Sequence, residues 1–178
     1  MKYFDELKRT MEWLAQQPDT LFIGQTAAVP GTFMYQTLRD VPKDRALEFP
    51  VNESFQMQFS LGLALEGYVP VSVYPRQNFL ILAAGDMSNM VDKFSAMSNG
   101  TVNPKIIIRV ATGPFKPVHP GHQHIGNFAQ AFRHLFDWIE VLEVNEPQEI
   151  FPAYERAYSR SDGRSTLIIE EGNFYNEK

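Results

Sequence analysis

Short apolar runs bounded by turn residues alternate with helix-length segments along nearly the whole chain, and this alternation narrows the possible folds more than any other feature. Tyr3, Leu7, Met11 and Leu14 recur at helical spacing, and Leu21-Phe22-Ile23-Gly24 follows as a compact apolar run of the kind found in buried parallel strands. Residues 33–39 read as a short helix and 47–49 as a short strand. Residues 53–66 then form a helix apolar on nearly every side, through Phe55, Met57, Phe59, Leu61, Leu63 and Leu65. A helix of that kind is expected between other elements and not at a surface, with Gly67 at its carboxyl-terminal cap. Val69-Pro70-Val71-Ser72-Val73-Tyr74 continues as a strand, 78–97 as one long helix and 105–110 as a strand. The remainder reads as a loop over 112–123, a helix over 124–136, a strand over 139–144, a helix over Pro147–Ser159 and a last strand over 166–170. Strands alternating with helices of this length predict right-handed crossovers and a parallel sheet covered on both faces, a three-layer α/β/α domain. With neither repeats nor a linker, the reading is one domain over residues 1–178.

Composition excludes several classes of function. The chain has no cysteine, which removes disulfides and thiolate chemistry and fits a reducing compartment. Its net charge is -5 and its 16 basic residues are scattered, so no nucleic acid is expected as partner. The first 17 residues mix acidic and basic side chains along an amphipathic helix, unlike a targeting peptide, and no apolar run nears the roughly 20 residues of a membrane span. A soluble, cytoplasmic protein is the expectation, with no membrane contact.

In open parallel sheets, ligands gather beyond the carboxyl ends of the strands. Three such places carry chemistry-bearing residues: Pro50-Val51-Asn52-Glu53, Pro75-Arg76-Gln77-Asn78-Phe79, and the loop 112–124 with three of the four histidines. Glu53 in a helix's first turn could simply satisfy free N–H groups and the helix dipole. Behind so apolar a helix it could equally hold a shared proton against a ligand. Phe79 fits either core or ligand platform. His119, His122 and His124 lack acidic or thiol companions at metal-ligand spacing, which leaves substrate-facing hydrogen bonding or loop capping for His122 and His124. No dinucleotide or P-loop phosphate cradle and no serine nucleophile elbow is present.

These pieces, in this order, resemble the pyrimidine-binding domain shared by transketolases and the beta subunits of 2-oxoacid dehydrogenase first components. The resemblance covers about residues 1–172. It rests on Val51-Asn52-Glu53 leading a helix with Gly62 and Gly67, then Tyr68-Val69-Pro70-Val71, and on Gly121-His122-Gln123-His124. It implies the thiamine-diphosphate-binding fold. It also implies that Glu53 hydrogen-bonds the cofactor's aminopyrimidine ring, Phe79 stacks on that ring, and His124, or His122 in the other register, faces a small keto substrate. Gln25 stands at a cofactor-facing position where the family often has an acid, and Phe55 and Gln58 replace glycines of the family's helix. These departures leave open a second reading, a degenerate interaction or regulatory subunit without catalysis. The family's Gly-Asp-Gly motif and downstream Asn, which hold Mg²⁺ and diphosphate, have no counterpart here. The resemblance therefore implies a separate diphosphate-binding subunit carrying the Mg²⁺, in a heterotetramer or a homodimer of the pair. The implied reaction is transketolase-like ketol transfer or 2-oxoacid decarboxylation.

Overall fold

The computed structural model of the chain describes residues 2–116 and 119–176. Met1, Pro117, Val118, Glu177 and Lys178, at the ends of the expected domain and inside the expected histidine loop, lie outside the described residues.

Six strands form a single sheet in which every neighbouring pair is parallel: β1 (Thr20–Gly24), β2 (Ala46–Glu48), β3 (Val69–Tyr74), β4 (Ile107–Thr112), β5 (Glu140–Val144) and β6 (Thr166–Glu171). Their order is β2-β1-β3-β4-β6-β5, so the chain starts one strand in from an edge, adds β2 on the outer side of β1, and then reverses direction between β1 and β3 to build the rest of the sheet. β3 and β4 are buried along their whole length, as expected of central strands covered on both faces.

Side-chain alternation divides the core in two. Val71, Val73, Ile107 and Ala111 point to one face, where α1 (Tyr3–Ala15), α2 (Phe33–Leu38) and α8 (Pro147–Ser159) cover them with Leu7, Met11, Leu14, Met34 and Ile150. Tyr74, Ile108, Val110 and Leu167 point to the other face. There α3 (Glu53–Leu65), the segment 77–97 and α7 (Ala129–Leu135) supply Met57, Leu61, Leu80, Met87 and Phe132. The three-layer α/β/α architecture predicted from the alternation is the one observed. No helix among the described residues is long and apolar enough to cross a membrane.

Three local readings need correction. The helix expected over 78–97 is broken into α4 (Gln77–Leu80), a 3-10 turn, α5 (Ala84–Asp86), a π-helical turn at Met87–Val91 and α6 (Phe94–Met97). Ser88 Oγ and Asn89 Nδ2 both donate to the carbonyl of Gly85, at 3.3 and 3.0 Å, and Asp92 N reaches Met87 O at 2.8 Å. Side chains compete for the helical acceptors, and the ladder slips by one residue. The helix expected over 124–136 begins only at Ala129. Lastly, α3 is not enclosed within the chain: Phe55, Phe59 and Leu65 are exposed on its outer side, and Phe49 packs against the first two at centroid distances of 5.3 and 5.0 Å.

Candidate functional site

The first group of candidate residues is assembled where β1 ends and α3 begins. Asn52 is the N-cap of α3, its side-chain oxygen accepting from Phe55 N at 2.9 Å. That contact relieves the next residue of capping. The Glu53 side chain is instead buried, at 5% residue exposure, and its Oε1 accepts one hydrogen bond from Gln25 Nε2 at 3.2 Å. Of the two roles Glu53 could have had, helix capping is thus taken by its neighbour.

The position of α3 is set by Gln56, one turn along. Its buried Nε2 lies 3.0 Å from Val73 O, 3.3 Å from Ile23 O and 3.2 Å from Ser72 Oγ, while its Oε1 has no partner among the described residues. Helix α3 is therefore pinned to the carbonyls of β1 and β3 at the strand ends where Glu53 stands. Tyr74, the last residue of β3, donates from its hydroxyl to Glu53 O at 3.3 Å, and burial pushes that hydroxyl's pKa up from its ordinary value. Glu48, at the end of β2, accepts from Thr26 N, Ala28 N and Val29 N at 2.7, 2.9 and 3.1 Å and shapes the loop that presents Gln25.

A second group lies beyond β3 and β4. The ring of Phe79 in α4 and that of His124 lie 5.4 Å apart at 54°, a tilted contact. His124 Nδ1 is buried and has no hydrogen-bond partner among the described residues. A buried ring nitrogen without a partner is costly. His122 is exposed, as is His119, whose Nδ1 accepts from Gly121 N at 3.1 Å. Of the three histidines only His124 is turned into the fold. Among the described residues there is no group of three or more His, Asp or Glu side chains arranged to hold a metal.

The segment after β3 braces the histidine loop, a role the sequence did not announce. Arg76 Nη1 donates to Gly113 O at 2.7 Å and to His124 O at 3.1 Å. Gln77 Oε1 accepts from Phe128 N at 2.7 Å, and Asn78 Oδ1 from Gly126 N at 3.2 Å. These contacts satisfy backbone groups of 126–128 outside any helix, which is why α7 starts late. From the other side, Asn173 Oδ1 accepts from Phe115 N at 2.8 Å. Gly172 allows this approach, since a Cβ there would stand 2.5 Å from Thr112 O. The available signal was a polar Arg-Gln-Asn run one residue after a largely apolar strand.

Gln25 with Glu53, and Phe79 with His124, therefore form two pairs beyond the carboxyl ends of three adjacent strands, β1, β3 and β4. That edge is also where the strand order reverses, the usual place for a ligand in an open parallel sheet. It thus carries a buried carboxylate held by an amide, and an aromatic ring in contact with an imidazole.

No family model and no curated protein sequence matches the chain. Among solved structures, it is similar to a split-gene transketolase described as an inactive β4 tetramer, with TM-score 0.73 and 12% identity over 94% of this chain and 50% of that one. The chain thus spans about half the length of its structural neighbour. At that identity the likeness carries the fold alone: the chain has a transketolase-like α/β fold.

Proposed function

We propose that this chain is the pyrimidine-binding subunit of a two-chain thiamine-diphosphate-dependent enzyme. Its reaction would make or break a C–C bond next to a carbonyl, by ketol transfer or by 2-oxoacid decarboxylation. The observation that carries the proposal is Glu53, a buried carboxylate freed from capping by Asn52, beside Gln25 at the ligand edge of a transketolase-like fold.

When bound, thiamine diphosphate supplies the carbanion chemistry at its thiazolium ring. The chain's own residues bind and orient. Glu53 holds a proton against a pyrimidine ring nitrogen, and Gln25 fixes the carboxylate by donating to Oε1. Phe79 offers its ring face to the pyrimidine. His124, held by Arg76 through its carbonyl, presents an imidazole nitrogen to the keto substrate. Mg²⁺ and the diphosphate fall to the partner subunit, because this chain has no Gly-Asp-Gly motif. The exposed apolar faces of α3 (Phe55, Phe59, Leu65) and of the adjacent segment (Ile81, Leu82, Met90) support such a partner, since contiguous apolar surface marks protein contacts. Gln25 favours a second reading, a non-catalytic subunit, because an amide cannot relay a proton as an acid would.

Calorimetric titration with thiamine diphosphate and Mg²⁺ tests the assignment. The chain alone should bind weakly, and addition of the diphosphate-binding subunit should bring binding into the micromolar range or below. Sub-micromolar binding by this chain alone would overturn the two-chain assignment.

A further inference from the structure

On the opposite side of the sheet from Glu53, a cavity of about 150 Å³ opens at the carboxyl ends of β3 and β4. Phe33, Met34, Ala111 and Pro114 give it apolar walls, and Arg76 is the one charged side chain among its lining residues. Arg76 forms no ion pair with any described carboxylate. Its Nη1 is committed to Gly113 O and His124 O, while Nε and Nη2 make no hydrogen bond among the described residues. Tyr175 also lines the cavity, but its hydroxyl is committed to Glu170. That carboxylate is matched by the fully buried Arg109 and leaves nothing over to neutralise Arg76. Thr32, the remaining polar side chain of the lining, is engaged with Thr26 and with Tyr35 N.

A half-buried guanidinium without a counter-charge is disfavoured by desolvation, and burial accordingly lowers the Arg76 pKa from its ordinary value. Its free edge can pair with a carboxylate in the two-pronged manner that suits arginine. A cavity of this size takes a guest of about six heavy atoms. The apolar walls call for a carbon chain behind the charge.

We propose that this cavity binds a short-chain monocarboxylate, its carboxylate on Arg76 Nε and Nη2 and its carbons against Phe33, Met34, Ala111 and Pro114. Because the same guanidinium holds the carbonyls of Gly113 and His124, an occupant bears directly on the placement of the histidine loop. The site does not depend on the cofactor assignment, and its test needs neither cofactor nor partner.

The test is calorimetric titration of the 178-residue chain with acetate, butyrate, inorganic phosphate and chloride at constant ionic strength. Butyrate should bind in the millimolar range and acetate about tenfold more weakly, the contribution of two methylenes. Arg76→Gln should lose at least tenfold in butyrate affinity. If that variant's thermal midpoint drops, Phe33→Ala takes over the test and should reduce the butyrate-to-acetate ratio to threefold or less. Phosphate or chloride binding as well as butyrate would reduce the site to a bare cation and overturn the proposal. So would undiminished butyrate binding in folded Arg76→Gln, an unchanged ratio in Phe33→Ala, or no butyrate binding at 50-fold above the millimolar range.

Discussion

Glu170 is the acceptor at the centre of a buried network, and replacing it should be among the most damaging single changes in the chain. Arg109 donates to its two oxygens from Nε at 2.7 Å and Nη2 at 3.0 Å, and the side chains of both residues have no exposure. The hydroxyls of Tyr154 and Tyr175 donate to it as well. Burial raises the pKa of both tyrosines, and the Glu170 charge raises them further. Glu170→Gln keeps the volume but strips the charge and turns an NH₂ group towards existing donors. Arg109 Nη1 already lacks a partner, so the guanidinium has no spare acceptor to turn to. Leaving one member of a buried pair uncompensated costs about 3–5 kcal/mol, against a total stability of about 5–15 kcal/mol. With a urea m-value of about 2–3 kcal/mol/M, the denaturation midpoint should fall by about 1–2.5 M without a change in slope. The Arg109→Met/Glu170→Met double variant should lose clearly less than the sum of its single variants. A midpoint shift below about 0.3 M in Glu170→Gln, or strict additivity in the double variant, would refute the reasoning.

His124→Ala should lower turnover of the assembled complex by ~100-fold, as for loss of a positioned acid–base group, with cofactor affinity nearly unchanged. The exposed His122→Ala should do little by comparison, and steady-state kinetics beside cofactor titration separates the two. Asp92 has a pH signature. Its burial alone would raise its pKa, but Lys93 and the backbone N–H groups of Ile139, Trp138 and Asp137 outweigh burial and hold it below the ordinary value. A depressed folded-state pKa means stabilisation that is present above the unfolded value, near pH 3.9, and is lost as pH falls through the folded value. Asp92→Asn should therefore cost about 1–3 kcal/mol at pH 7, and its gap to the parent in thermal midpoint should narrow towards pH 3; an unchanged gap would contradict this.

The strand positions were legible because β-branched apolar runs between turn residues admit few other conformations. β3 at Val69–Tyr74 and α8 at Pro147–Ser159 fall where the pattern puts them. The segment 77–97 was not legible, because its periodicity is that of a continuous helix. One of its breaks, the π turn at Met87–Val91, coincides with competition of Ser88 and Asn89 for the Gly85 carbonyl, a matter of side-chain geometry. The late start of α7 was equally hidden. The groups that satisfy Gly126 N and Phe128 N come from Asn78 and Gln77, 48 and 51 residues earlier. In α3 the excess of apolar residues was visible and its placement was not: Phe55 and Phe59 are exposed on the helix's outer side. Of the candidate site, Gln25, Glu53, Phe79 and His124 could be named from the sequence. The bracing roles of Arg76, Gln56 and Asn173 exist only once distant strands have met.

The central claim, that Glu53 is a proton partner of a bound aminopyrimidine and not a helix cap, is tested most directly by Glu53→Gln. The amide keeps size and shape, and Asn52 continues to cap α3, so the fold and the assembly should persist with cofactor affinity within about tenfold of the parent. Hydrogen–deuterium exchange at the thiazolium carbon of thiamine diphosphate, followed by NMR in the assembled complex, reports proton loss from the cofactor before any substrate is added. The account predicts exchange slower by ~100-fold or more. Exchange at the parent rate in a complex that still binds the cofactor would contradict it.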